Sequence, residues 1–133
     1  MTVVIDASVA AKWVLPEIGA ERAAKLRYRG EDYIAPSLLV AEIGSAVWKR
    51  ARRGEFTVAQ ATSAIALSTA LMTRLVPLDD LVTSAVEFAI RLDHPIYDCF
   101  YLALAAREDV ALITADRRLL AKASQANLKA FEL

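Results

Sequence analysis

One histidine and one cysteine are all that this chain of 133 residues contains of either type. A single cysteine, Cys99, excludes an internal disulfide, and its place at the start of an apolar helix marks it as a small core residue rather than a nucleophile. The single histidine, His94, stands before a proline in a loop, which argues against imidazole general-base chemistry and in favour of metal-activated water. No apolar run approaches the roughly 20 uninterrupted residues of a membrane span, although 56% of the residues are hydrophobic. The surplus apolar surface is expected at a protein interface. Basic and acidic residues balance at 16 each, so contact with nucleic acid requires local clustering of charge. The chain starts directly on strand-forming residues, without the charged and apolar regions of a secretory signal, and a cytoplasmic location is expected. Repeats, linkers and low-complexity segments are absent, and the length suits a single domain, 1–133, with a real core.

The chain is organised around Val3-Val4-Ile5-Asp6. Three consecutive β-branched residues read as a strand buried on both faces, the pattern of a central strand in a parallel sheet, and Asp6 closes it with a carboxylate. Helices are expected over 8–15, stopped by Pro16, over 18–29, closed by Gly30, and from an N-cap at Ser37 to about Arg53, before Gly54. Thr57 and Gln60 form a capping box for a helix to about Arg74. Asp79 or Asp80 caps another to Leu92, a very apolar helix runs from about Tyr97 to Arg107, and a last one spans Arg117 to about Gln125. Further strands are expected at 32–36, weakly at 75–78, where Pro77 argues for an edge, at 110–114 as a second central strand, and at 128–131. The alternation predicts an α/β fold, a three-layer α/β/α sandwich with a central, mainly parallel sheet of about five strands. The segment 37–74 is a candidate helical hairpin.

Four acids stand out. Asp6 and Asp116 end the two best central strands. Glu42 is the only charge in an otherwise apolar stretch of its helix, and Asp98 heads a helix that is apolar all round. Each has an ordinary reading as a cap or as half of an ion pair. In a parallel α/β unit, however, a helix begins at the edge where the preceding strand stops, so all four point to one rim, where open α/β sheets bind ligands. One pair of like charges 4 Å apart costs about 4 kcal/mol at an effective dielectric of 20, so a cation or retained protons must offset the crowding. An all-oxygen donor set suits Mg²⁺ or Mn²⁺ better than zinc. Ser8 and Thr114, each two residues from one of these acids, could place hydroxyls on water or phosphate, or could be ordinary cap and turn residues.

Asp6 in Val-Ile-Asp-Ala-Ser-Val, Glu42 in Ala-Glu-Ile, Asp98 in Ile-Tyr-Asp-Cys-Phe-Tyr-Leu-Ala-Leu-Ala and Asp116 in Leu-Ile-Thr-Ala-Asp resemble the acidic quartet of the PIN domain. The short form resembles the VapC-type toxins of bacterial toxin–antitoxin pairs, over essentially the whole chain. The resemblance implies a PIN-like sandwich and a Mg²⁺- or Mn²⁺-dependent endoribonuclease that cuts RNA. It implies a homodimer and an antitoxin partner, through which alone DNA would be contacted. It also makes Asp6, Asp98 and Asp116 direct metal ligands and Glu42 a ligand either directly or through water.

Other residues carry weaker signals. Lys49, Arg50, Arg52 and Arg53 could meet RNA phosphates or simply decorate a helix C-terminus. Arg117, next to Asp116, is a candidate for phosphate contact. Asp32 and Asp109 fall at the opposite edge of the sheet, and Trp13, Trp48, Phe100 and Tyr101 read as core or interface. A phosphoacceptor domain would need more acids near the first strand and a late lysine, and a haloacid-dehalogenase-type phosphatase would need an Asp where Ser8 stands. A catalytically silent module that docks a protein partner remains the alternative.

Overall fold

The computed structural model describes residues 1–133. Strand β1 (Thr2–Ile5) lies at its centre, with Val3, Val4 and Ile5 all buried. It pairs in parallel with β2 (Asp32–Pro36) on one side and β4 (Ala111–Thr114) on the other. Two short edge strands, β3 (Arg74–Val76) and β5 (Ala130–Glu132), complete a five-stranded, wholly parallel sheet in the order β3-β2-β1-β4-β5. The three-layer α/β/α reading therefore holds.

The chain moves one way across the sheet from β1 to β3 and the other way from β3 to β5. Right-handed crossovers then place the connecting helices on opposite faces. Helices α1 (Ala7–Val14), α2 (Ala20–Arg27), α3 (Leu38–Arg52) and α4 (Val58–Ala70) cover one face. Helices α5 (Val82–Leu92), α6 (Ile96–Glu108) and α7 (Arg117–Gln125) cover the other. Helix α6 lies against β1, β2 and β4 and is itself covered by α5. This explains its lack of an amphipathic pattern, since every residue from Cys99 to Ala105 is buried. Helices α3 and α4 form the expected hairpin, and both also pack on α1. Gly30 and Gly54 close their helices with φ of +74° and +80°, a conformation costly for other residues.

Three local expectations need correction. Helix α4 stops at Ala70, short of Arg74, because residues 73–76 find backbone partners on β2, beginning with Thr73 N–H to the Tyr33 carbonyl at 2.8 Å. Neither Asp79 nor Asp80 caps α5: both sit in a 3-10 turn (Leu78–Asp80), and the buried Leu81 occupies the cap position. Ser37 precedes α3 but makes no side-chain cap, since its own backbone is already helical and its N–H continues the ladder to the Val76 carbonyl.

The direction of travel reverses between β1 and β4. Their C-terminal ends thus flank the topological switch point, the place where such sheets form a ligand crevice. Asp6 leaves β1 there, and Thr114 to Asp116 leave β4 beside it.

Candidate active site

Asp6 follows the last residue of β1 and precedes the first of α1. It is the N-cap of α1, with Oδ1 accepting from the Val9 N–H at 3.3 Å, and it is 5% exposed. Ser8 Oγ donates to Oδ1 and Thr114 Oγ1 to Oδ2, both at 2.6 Å. Burial nevertheless pushes the Asp6 carboxyl above its ordinary range, outweighing these three donors, and the Asp116 charge adds to the shift.

Ser8 and Thr114 are therefore struts. Each hydroxyl gives its one proton to Asp6 and accepts an N–H from the β4 exit loop, Ser8 from Ala115 at 3.0 Å and Thr114 from Asp116 at 2.9 Å. Their 3.5 Å approach to one another is left without a proton to make it a bond. Of the two readings open for these hydroxyls, the contacts follow the cap-and-turn one: they lock two loops around one carboxylate.

Asp116 is the N-cap of α7, with Oδ1 accepting from the backbone of Arg118 at 2.9 Å and Leu119 at 3.4 Å. Glu42, in the second turn of α3, accepts through Oε1 from the Tyr101 hydroxyl of α6 at 2.6 Å. Burial raises the pKa of Glu42, the Tyr101 bond opposes the shift, and the charges of Asp98 and Asp6 add to it. Asp98, in the first turn of α6, meets His94 Nε2 through Oδ2 at 2.8 Å, so it is not the cap of its helix.

The four acids share a pattern. None has a lysine or arginine partner. Glu42, Asp98 and Asp116 each have one oxygen held by protein donors and the other free of any protein hydrogen bond. Their charges also act on one another, Asp116 on Asp6, and Asp6 and Asp98 on Glu42. They do not close into a cage, because no three His, Cys, Asp or Glu side chains stand together as a ready-made ligand set. Oxygens spaced in this way fit a hard ion that keeps several waters better than one that needs a closed cage.

Tyr101 and His94 are site residues that the sequence left in the core and in a loop. Their spacing from Asp98, three residues after and four before, was the available signal. Cys99 is buried, and burial pushes its thiol up to about 11, as befits an inert core residue.

A groove of about 370 Å³ adjoins the rim, lined by Glu42, Ser45, Lys49, Arg50 and Arg53 among others. Arg50 is committed to Glu17 and Glu55, whereas Lys49 and Arg53 are in no ion pair. Arg52 lies over the Trp48 ring, 5.1 Å from its centroid. Arg117 is exposed, with Nε 3.1 Å from Glu132. Asp32 begins β2, and Asp109 ends α6 at the edge away from the site.

A wholly parallel α/β sandwich with Asp6 and Asp116 at the exits of the two strands that flank its switch point marks the class of protein. The PIN domain model matches residues 3–125, and the chain belongs to the PIN-domain family. It is 29% identical to ribonuclease VapC3 of Pyrobaculum aerophilum over 92% of this chain and 95% of that protein. To exonuclease VapC9 of the same organism it is 36% identical, over 64% of this chain and 62% of that one. Its fold matches that of VapBC2 from Rickettsia felis, solved bound to a DNA fragment from their promoter, with a TM-score of 0.71 at 14% identity over 100% of this chain and 99% of that one.

Proposed function

We propose that this chain is a Mg²⁺- or Mn²⁺-dependent endoribonuclease and the toxin of a toxin–antitoxin pair. The observation that carries the reading is four carboxylates without lysine or arginine partners, three of them with an unengaged oxygen, with Glu42 lining a groove that holds two free cations. The names of the two curated relatives, a ribonuclease and an exonuclease, support nuclease chemistry.

Asp6, Asp98 and Asp116 would hold the ion, with Glu42 joining directly or through water. A bound divalent ion supplies Lewis-acid stabilisation of a phosphate and a nucleophilic water at neutral pH. Ser8 and Thr114 hold Asp6 still, Tyr101 orients Glu42, and Lys49 and Arg53 lead the RNA backbone to the rim. Arg117 stays in reach of a phosphate only by leaving Glu132.

A circular RNA tests the reading, because it has no end for an exonuclease. The purified protein should linearise it with Mg²⁺ or Mn²⁺, stop on chelation, and lose the activity in Asp98→Asn. Silence towards varied linear and circular RNAs with either metal would leave the protein-docking module instead. The groove makes a second prediction. Lys49→Ala with Arg53→Ala should weaken RNA binding and flatten the dependence of log K on log salt by about 1.4, the value for two phosphate contacts on a single strand. An unchanged slope would remove both residues from the RNA path.

We also propose a homodimer and an antitoxin partner. Val82, Val86 and Ile90 leave an exposed apolar row along α5, with Tyr97 exposed at the start of α6. Isolated monomer of this size gains nothing from such a row, and light scattering should give twice the chain mass. The antitoxin reading takes its support from the likeness to Rickettsia felis VapBC2, solved bound to a DNA fragment from their promoter. Co-expression with the product of a neighbouring small reading frame should recover a complex that has lost RNA cleavage, and uninhibited cleavage by the mixture would refute it.

A further inference from the structure

We infer that His94 is a positioning residue for Asp98 and that it sets the affinity of the acidic rim for its cation. The inference deepens the metal-site reading and rests on it. His94 has a side chain only 2% exposed, with Nε2 2.8 Å from Asp98 Oδ2. Its other ring nitrogen, Nδ1, is buried and meets no partner.

That pairing fixes the proton. With the hydrogen on Nε2, the ring donates to the carboxylate and leaves Nδ1 bare. The opposite tautomer sets two acceptors face to face and buries an unpaired N–H. An unpaired polar atom in a core is costly, so an imidazole here is a poor space-filler. What it contributes is a donor of fixed direction.

The surroundings keep that direction fixed. Asp93 ends α5 in the left-handed region at φ 49°, and the His94 N–H turns back to the Ala89 carbonyl at 3.1 Å. Pro95 follows at once, the His94 carbonyl faces Cys99 Sγ at 3.9 Å, and Lys122 Nζ holds the Leu92 carbonyl at 2.8 Å. The ring is thus carried on a tied-down turn. It engages one oxygen of Asp98 and leaves Oδ1 without a protein hydrogen bond. Donors placed behind a metal-binding side chain in this way typically change metal affinity by 10–100-fold.

The test is a Mn²⁺ binding isotherm on wild type, His94→Met and His94→Gln, with a melting curve for each. Methionine fills a similar space without a donor, and glutamine restores an N–H near the Nε2 position. His94→Met should bind Mn²⁺ about 10–100-fold more weakly while still melting cooperatively, and His94→Gln should regain most of the loss. If His94→Met does not fold, His94→Asn replaces it, since its shorter amide falls short of Asp98, and it should bind more weakly than His94→Gln. Equal affinities across the folded variants would overturn the inference and leave the metal site standing. Absence of Mn²⁺ binding by the wild type would overturn both.

Discussion

Asp6→Asn should abolish RNA cleavage and, in metal-free buffer at neutral pH, raise the melting temperature. The activity loss should exceed about 100-fold, because residues behind a metal ligand already cost 10–100-fold and Asp6 is placed as a ligand itself. The gain in stability is the less ordinary part. Asp6 receives two hydroxyl bonds and one backbone bond, which favour its charge, and it is buried near Asp116, which opposes it. Burial outweighs these bonds and raises the pKa, so the charge is held at a cost that a neutral group does not incur. Asparagine supplies one at nearly the same size. A gain of about 1 kcal/mol corresponds to roughly 3–5 °C for a chain of this length. A clear drop in melting temperature would make Asp6 a structural cap and nothing more.

Metal-free protein should also lose stability as pH rises from the mildly acid range to neutrality, and divalent cations should reverse the loss. The folded pKa values of Asp6 and Glu42 lie above their ordinary 3.8 and 4.5. Above those ordinary values the unfolded chain has released both protons while the folded chain still binds part of them. Stability therefore falls with pH until both carboxyls ionise in the folded state. A cation that binds only the folded form opposes this, by about 2.7 kcal/mol at one hundred times its Kd. Melting curves from pH 4.5 to 8, with chelator and with Mn²⁺, should converge at the acid end and separate towards neutrality. Parallel curves would mean that the carboxylates do not form the cation site.

Legibility in the sequence depended on how local each signal was. Val3-Val4-Ile5 announced a central strand because β-branching and burial on both faces coincide there. Thr57 and Gln60 announced a helix start because a capping box closes within four residues, and both of its bonds are present. The apolar run from Cys99 to Ala105 announced a buried helix, and α6 is one. Strand and helix polarity alone located Asp6 and Asp116 at the starts of α1 and α7 and Glu42 and Asp98 in the first half of their helices. It did not locate side-chain partners. Tyr101 and Glu42 are 59 residues apart and meet across the end of the sheet, and Thr114 reaches Asp6 over 108 residues. Asp79 and Asp80 misled because tertiary burial of Leu81 set the start of α5, against local capping preference.

On this reading, distant acids share a divalent ion at the switch point between β1 and β4. Anomalous diffraction from a crystal soaked in Mn²⁺ addresses it directly. A manganese peak in contact with carboxylate oxygens of Asp6, Asp98 and Asp116 is the result expected. A crystal without a peak among these residues at saturating Mn²⁺, or with manganese bound only elsewhere, would contradict it.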